Sequence, residues 1–283
     1  MMIRMALRLS LPRISIVTPS FNQALYLEEA MDSVLSQAYP SLDYQVLDGG
    51  STDGSAEIIR KRESQLSRWR CEKDAGQSAA LQEGFVHATG DVLGWLNSDD
   101  VLEPGALATV GEAFAAHPEV DLVYGDLRFI DQGGRRLFDT HLVLKLGILA
   151  YESPYVGQPA MFWRRSLYER VGGLDPSFRF AMDFDLLIRM VMGGARSLKI
   201  RRRLARFRLH PSSKTCTLRA LCDAEVARTL QMHGLAQESK AAVFAKRWAF
   251  RALRFASDPR CLLSAVESRL RVGTSGNPAG AGP

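Results

Sequence analysis

The first hundred residues alternate strand and helix signals in an unbroken order, and this ordering constrains the fold more than any other feature of the chain. Ile14 to Val17 is a short apolar run ending on Thr18-Pro19-Ser20-Phe21-Asn22. Ala24 to Gln37 follows with Leu25, Leu27, Ala30, Met31, Val34 and Leu35 at the three- and four-residue spacing of a one-sided helix. Tyr44 to Leu47 predicts a second strand, closing on Asp48-Gly49-Gly50-Ser51-Thr52-Asp53-Gly54, and a helix runs from Ser55 to Leu66. Arg68 to Cys71 is a short extended piece before Glu72-Lys73-Asp74-Ala75-Gly76. A helix from Gln77 to Ala88 and a strand from Val92 to Leu96 complete a β-α-β-α-β-α-β series. Such a series builds a parallel sheet with right-handed crossovers, so the fold class is α/β.

Ligands of open α/β sheets gather beyond the carboxyl ends of the strands. There the chain places Thr18-Pro19, Asp48, Asp74 and Asn97-Ser98-Asp99-Asp100. Acids crowded on one rim cost stability unless a ligand offsets them. Adjacent carboxylates suit a hard cation, Mg²⁺ or Mn²⁺, bridged onward to phosphates. The same residues can instead cap a helix beginning near Pro104, Asp53 can be an N-cap, and Asp74 a turn former. The Gly49-Gly50 and Gly54 pattern permits close backbone approach. It is not a G-x-G-x-x-G fingerprint and has no phosphate-cradling lysine, which argues against a dinucleotide fold or a P-loop.

Beyond the acid pair the sequence predicts a helix at Ala106 to Ala116, a strand at Asp121 to Tyr124 and a hairpin turning at Asp131-Gln132-Gly133-Gly134. Helices at Arg165 to Val171 and Phe184 to Met192 flank the turn Gly172 to Pro176. A strand pair is expected over Ser197 to Leu209, and helices from His210 to about Leu270. The Gly/Pro-rich ending cannot bury a core, so 271–283 is expected to be a disordered tail.

Charge is unevenly spread. From Arg196 onward there are 18 Lys+Arg and 5 Asp+Glu, which leaves 18 basic and 26 acidic residues before it. An acidic body with a basic C-terminal third points to an anionic partner or to a solvated basic face. No run approaches the roughly 18 to 20 apolar residues of a membrane-spanning helix. Met1 to Arg13 lacks the apolar core of a secretory signal. Cys71, Cys216, Cys222 and Cys261 have no paired zinc spacing, so free thiols and a cytoplasmic location are expected.

Taken together the blocks resemble the family 2 glycosyltransferases. The matching pieces are Ser15-Ile-Val-Thr-Pro-Ser-Phe-Asn22, Val46-Leu-Asp-Gly-Gly-Ser-Thr-Asp-Gly54, Glu72-Lys-Asp-Ala-Gly-Gln77 and Gly90-Asp-Val-Leu-Gly-Trp-Leu-Asn-Ser-Asp-Asp100. Gly172-Gly-Leu-Asp175, Ala181-Met-Asp-Phe-Asp-Leu-Leu-Ile-Arg189 and Arg208-Leu-His210 continue the pattern in order. The resemblance implies a GT-A fold, Rossmann-like with a mainly parallel mixed sheet flanked by helices, plus a helical C-terminal appendage. It divides the chain into a catalytic domain (13–215), a basic helical extension (216–270) and the tail (271–283).

The resemblance also implies roles. Thr18, Pro19, Asp48 and Asp74 would hold the base and ribose of a UDP- or dTDP-linked sugar, with Gln77, Asn97 and Ser98 nearby. Asn97-Ser98-Asp99 stands where the family usually has Asp-x-Asp, so a neutral amide replaces the first acid. Asp99 is then the leading ligand of Mn²⁺ or Mg²⁺, and Asp100 the second. His210 would reach the metal or diphosphate, unless it is only a loop histidine, and Lys214 would add a phosphate contact. Asp183 matches the family's base, and Asp185 is the alternative. A sugar hydroxyl is a poor nucleophile until its proton is removed, which is why such a carboxylate is needed. Gln158 and Trp163 would lie near the acceptor, while Trp95 belongs to the core.

The implied reaction is inverting, metal-dependent transfer of a sugar from a nucleotide diphosphate to a saccharide or lipid-linked saccharide. The rival is a non-catalytic nucleotide-sugar-binding protein of the same fold. In the extension, Lys240, Arg247, Arg251 and Arg254 fall on one stripe of a helix, bordered by Phe244, Trp248 and Phe255. That stripe suits either peripheral contact with the inner face of an anionic membrane or packing on the catalytic domain. Nucleic acid is not an expected partner, because no recognised module is present.

Overall fold

A computed structural model describes residues 10–146, 149, 157–235, 240–262 and 266. The expected alternation is present as β1 (Ile14–Ser20), α1 (Ala24–Leu35), β2 (Leu42–Asp48), α2 (Ser55–Arg60), β3 (Arg68–Cys71), α3 (Gln77–His87) and β4 (Val92–Trp95). β1 is the fulcrum. It pairs in parallel with β2, from Ile14 opposite Leu42 to Ser20 opposite Asp48, and with β4, from Ile14 opposite Val92 to Val17 opposite Trp95. β3 adds to β2 in the same sense, setting Cys71 opposite Asp48. The carboxyl ends of all four strands therefore share one rim. α3 lies hard against this layer. A Cβ on Gly84 would stand 2.5 Å from Val17 Cγ1, so only glycine fits there.

The second half is mixed. β5 (Val101–Leu102), α4 (Ala106–Ala116), β6 (Leu122–Ile130), β7 (Arg136–Thr140), β8 (Met161–Arg164), α5 (Arg165–Arg170), α6 (Met182–Met192) and β9 (Ser197–Arg208) follow in turn. Among the described residues the sheet has nine strands in the order β3-β2-β1-β4-β8-β6-β9-β5, with β7 on β6. β8 runs antiparallel to both β4 and β6, so β6 and its parallel neighbour β9 point the same way as β4. The chain leaving β9 at Arg208 thus arrives on the rim where β4 delivers Asp99.

Several elements differ from the sequence reading, among them β8 (Met161–Arg164), which that reading does not contain. The strand pair expected at Ser197 to Leu209 is one twelve-residue strand, because β6 offers a continuous parallel partner along its length, with register shifts near Asp126. The second helix stops at Arg60 rather than Leu66. Beyond it, Arg62 donates to Glu28 (2.9 Å) and Asp32 (2.7 Å) on α1, and Glu63–Gln65 is a 3₁₀ turn. β5, two residues long, was not anticipated; it exists only by pairing with β9.

After β9 come α7 (Lys214–Thr217), α8 (Arg219–Met232) and α9 (Lys240–Ser257). α8 packs on α6. The expected tail, 271–283, lies outside the described residues. All four cysteines are free thiols.

Candidate active site

At the first strands the rim is tied to its own loops. Asp48 is fully buried and accepts from the Gly50 (3.0 Å) and Ser51 (2.8 Å) backbone N–H groups, from Ser51 Oγ (2.6 Å) and from Cys71 Sγ (3.1 Å). Gly50 turns this loop at φ 84°, a conformation that favours glycine. Asp74, half-buried, accepts from Gly76 N–H (2.8 Å) and Arg70 Nη2 (3.1 Å). Thr18 is buried and its hydroxyl shares a hydrogen bond with Tyr44 OH at 3.1 Å. Its side chain is thus engaged inside the sheet, and Pro19 beside it is buried as well. Asp53 does not cap its own helix, whose N-cap is Gly54; it accepts from Ala24 N–H at the start of α1 (2.8 Å) and from Ser55 N–H (3.1 Å).

At the end of β4 the two adjacent acids part company. Asp100 is 1% exposed; its Oδ1 accepts from Arg208 N–H (3.0 Å) and its Oδ2 from Asn97 Nδ2 (3.2 Å). Burial, with Asp99 beside it, pushes the Asp100 carboxyl well above the usual carboxylate range. Asp99 stays half-buried, and its Oδ2 faces His210 Nε2 at 3.0 Å. The imidazole is fixed by Ser212 Oγ on Nδ1 (2.9 Å) and by the Tyr26 ring, 4.7 Å away between centroids. Arg208 braces the turn from behind. It donates to the Asp99 carbonyl (2.9 Å) and to Glu29 (2.5 Å), with its guanidinium 4.9 Å from the Tyr26 ring centroid.

A chain of side chains crosses the floor. Lys214 Nζ donates to Gln77 Oε1 (2.7 Å), and Gln77 Nε2 donates to Asn97 Oδ1 (2.7 Å). Asn97 Nδ2 donates to Asp100 and reaches Gln158 Oε1 (3.4 Å), while Gln158 Nε2 donates to the Trp95 carbonyl (2.6 Å). The amide at 97 is therefore used in both directions. A carboxyl there would lose the donation that the amide makes to Asp100. Ser98 is buried.

Asp183 stands in the first turn of α6, half-buried, with Oδ1 accepting from Phe184 N–H (2.8 Å). Burial pushes its carboxyl up to about 6, against the pull of Lys214. Burial, with Arg179 adding to it, pulls the Lys214 ammonium below its usual range, against the opposing charges of Asp99, Glu225 and Asp183. Asp185, the alternative base, is buried in a salt bridge with Arg189 (2.7 Å) and lies 3.4 Å from His233, so α6 uses it internally.

Hydrogen bonds link Lys214, Gln77, Asn97 and Asp100, and Asp99 pairs with His210, at the turn after β4; Ser98 is buried beside them and Asp183 begins α6. Thr18, Pro19, Asp48 and Asp74 form the neighbouring group at the ends of β1, β2 and β3. Trp163 is not at an acceptor face; it is fully buried and packs edge-on against Trp95 at 5.5 Å. Sequence reasoning missed Glu225. Its carboxylate, 7% exposed on α8, accepts from three successive backbone N–H groups at Arg179 (2.9 Å), Phe180 (2.8 Å) and Ala181 (2.8 Å), the segment that launches α6. Its one sequence signal is an acid within a basic third of the chain.

The Asp99 carboxylate and the His210 imidazole, 3.0 Å apart, are two groups that could hold a divalent ion. Among the described residues, Asp126, His141 and Asp258 also bring ligand atoms within 4.8 Å of one another. That cluster already holds two cations. Lys199 lies 2.7 Å from Asp258 and 3.5 Å from Asp126, and Arg260 lies 2.7 Å and 2.9 Å from the same two acids.

Comparison with known proteins places the chain in a family. Residues 15–172 match the family model of glycosyl transferase family 2. The O-antigen biosynthesis protein RfbC of Myxococcus xanthus is 34% identical over 184 residues, 63% of this chain but 14% of RfbC. An uncharacterized glycosyltransferase of Nostoc sp. is 30% identical over 178 residues, 58% of this chain and 54% of that protein. A PGL/p-HBAD biosynthesis glycosyltransferase of Mycobacterium bovis is 31% identical over 184 residues, 63% of this chain and 69% of the relative. The chain therefore spans about half or less of the length of the first two. Among solved structures, Staphylococcus aureus TarS 1–349 in complex with UDP superposes with a TM-score of 0.60 at 17% identity, covering 86% of this chain and 72% of TarS. Mannosyltransferase PcManGT from Pyrobaculum calidifontis, in complex with GDP-Man and Mn²⁺, gives 0.56 at 18% identity, over 95% and 89%. The α/β architecture is the GT-A fold that the sequence blocks implied, and the chain belongs to glycosyl transferase family 2.

Proposed function

We propose that this protein is an inverting, metal-dependent glycosyltransferase, moving a sugar from a UDP- or dTDP-linked donor to a hydroxyl of a saccharide or lipid-linked saccharide at the inner face of a membrane. The observation that carries the reading is the Asp99–His210 pair (3.0 Å) at the turn after β4, reached by the Lys214–Gln77–Asn97 hydrogen-bond chain. UDP and GDP-Man in the complexes of TarS and PcManGT support a nucleotide-sugar donor. The O-antigen and PGL/p-HBAD names of the relatives support a saccharide or glycolipid acceptor.

In this reading Thr18 and Pro19, through their backbone, and Asp48 and Asp74 receive the base and ribose. Gln77, Asn97, Ser98 and Lys214 line the diphosphate. One Asp183 oxygen is bonded to Phe184 N–H, and the carboxylate takes the proton of the acceptor hydroxyl. The freed oxygen attacks the anomeric carbon as its bond to the diphosphate breaks. Nucleophile and leaving group lie on opposite faces, so the configuration inverts. Asp99 and His210 would hold Mn²⁺ or Mg²⁺, which when bound supplies charge neutralisation for the departing diphosphate. Asp100 keeps Asp99 and His210 in register through the Arg208 N–H. Lys214 contributes a positive charge to the same oxygens once it exchanges Gln77 for phosphate.

Calorimetric titration with UDP and dTDP in Mn²⁺, Mg²⁺ or EDTA tests the donor site, using wild type and Asp99→Ala. One nucleotide is expected to bind in a metal-dependent way that Asp99→Ala weakens. Mn²⁺ should outperform Mg²⁺, since one of the two donors is an imidazole nitrogen. Absence of nucleotide binding under every condition overturns the donor site. Tight binding without turnover against any acceptor favours the non-catalytic rival.

A further inference from the structure

α9 displays a surface that the proposed chemistry does not use. Phe244, Arg247, Trp248 and Arg251 occupy positions i, i+3, i+4 and i+7, so they share one helix face. Phe244 is 65% and Trp248 55% exposed, Arg247 is exposed, and the two rings meet edge-on at 6.3 Å. The Arg251 guanidinium lies 5.2 Å from the Trp248 ring centroid. No acid occurs between Lys240 and Ser257. Leu253, also exposed, lies on the opposite side of the helix, and Leu262 and Val266 are exposed beyond its end. Arg254, which the sequence places in the basic stripe, is buried instead, so the stripe ends where the helix meets the body.

The far end of α9 is pinned. Asp258, one residue beyond the helix, bonds Lys199 of β9 (2.7 Å) and Arg260 (2.7 Å), and Arg260 reaches Asp126 of β6 (2.9 Å), which His141 also contacts (2.8 Å). This clasp fixes the root of the helix while residues 244–249 stay exposed. Solvent-exposed aromatics on a uniformly cationic helix lose free energy in water and gain it at an anionic interface. There the rings enter the headgroup boundary and the arginines meet phosphates. A second copy of the helix would set arginine against arginine. A nucleic acid would match the charge, but the sequence holds no recognised nucleic-acid-binding module.

We infer that the Phe244–Arg247–Trp248–Arg251 face of α9 docks the protein on an anionic lipid bilayer. The inference deepens the lipid-linked acceptor reading and rests on it for its biological purpose, but its test is independent of turnover. Full-length protein is floated with vesicles of phosphatidylcholine alone or with about a quarter phosphatidylglycerol. Wild type is expected to float only with the anionic vesicles, and less at high salt. Phe244→Ala/Trp248→Ala and Arg247→Glu/Arg251→Glu should each lower partitioning about tenfold or more. Both should leave the thermal melting curve and UDP or dTDP titrations at wild-type values, so a failed donor reading and a failed docking reading are told apart. Trp248 emission should shift to the blue on vesicles, an effect absent in Trp248→Phe. Equal flotation of variants and wild type overturns the inference. So does flotation with neutral vesicles alone, or binding to single-stranded RNA in place of vesicles.

Discussion

Asp183 carries a carboxyl that burial lifts to about 6, and its consequences for activity and for stability have opposite signs. A base acts only when deprotonated, so kcat/KM should rise with pH through a midpoint near 6 and level off above it, as a pH–rate profile will show. Asp183→Asn should lower kcat by about 10²–10⁴-fold while leaving nucleotide affinity unchanged. For stability, a folded pKa above the unfolded one means that the native state holds the proton more tightly. The carboxyl's contribution is full below the ordinary carboxylate range and is lost as pH rises through about 6. Asp183→Asn should therefore be more stable than wild type by about 3 kcal/mol at about pH 8, and equal to it below about pH 4, by urea titration. Lower stability at the high pH would mean that the charge is needed to hold Phe184 N–H. At the next acid pair, Asn97→Asp removes a donor to the buried Asp100 and should cost about 1–3 kcal/mol. The departure at Asn97 is visible in the sequence. Its reason is not, because Gln77 and Asp100 complete the amide from opposite sides only in the fold.

Among the elements, β1, β2, β4, α1, α3 and α4 were legible because their periodicity is local and their burial one-sided or complete. β5 and the continuous β9 were not, since a two-residue strand or a strongly basic one has no intrinsic preference strong enough to announce itself. α8 is the least legible in function. Glu225 meets N–H groups some 44 to 46 residues upstream, and no spacing rule links them. Removing this acceptor leaves three donors unsatisfied at the start of α6. Glu225→Ala should cost at least about 2 kcal/mol in urea unfolding and lower kcat more than nucleotide affinity. Glu225→Gln, which retains an acceptor oxygen, should recover part of both. Wild-type kcat in Glu225→Ala would show that the α6 start holds its position without α8.

For the molecule as a whole, charge separates into an acidic body and a basic final third, and the fold joins them at the Asp126–His141–Lys199–Asp258–Arg260 clasp. Hydrogen bonds from Arg260, against the upward push of burial, together with Lys199 hold the Asp258 carboxyl well below its usual range. Its stabilisation is thus present from the unfolded carboxylate pKa upward and lost as pH falls through the lowered value. Lys199→Ala strips a cation from two buried acids and should cost about 3–5 kcal/mol. Hydrogen exchange along α9 should quicken in that variant if the clasp roots the helix; unchanged protection would mean that other contacts hold it. None of the described helices is long and apolar enough to cross a membrane, as the absence of a long apolar run foretold.

The sequence by itself determined the α/β alternation, the rim at the strand ends and the family blocks, because hydrophobic period and turn chemistry are properties of neighbouring residues. The tertiary structure decided which member of each polar pair is available. Asp99 faces His210 while Asp100 is consumed by Arg208, 108 positions away. Asp183 lies near Lys214 while Asp185 is held by Arg189. Trp163 lies in the core, and Arg254 is buried at the root of α9. Adjacent or alternate residues look equivalent in one dimension. They part only when a buried polar group must find its partner, and those partners come from distant segments that the sheet order brings to the same rim.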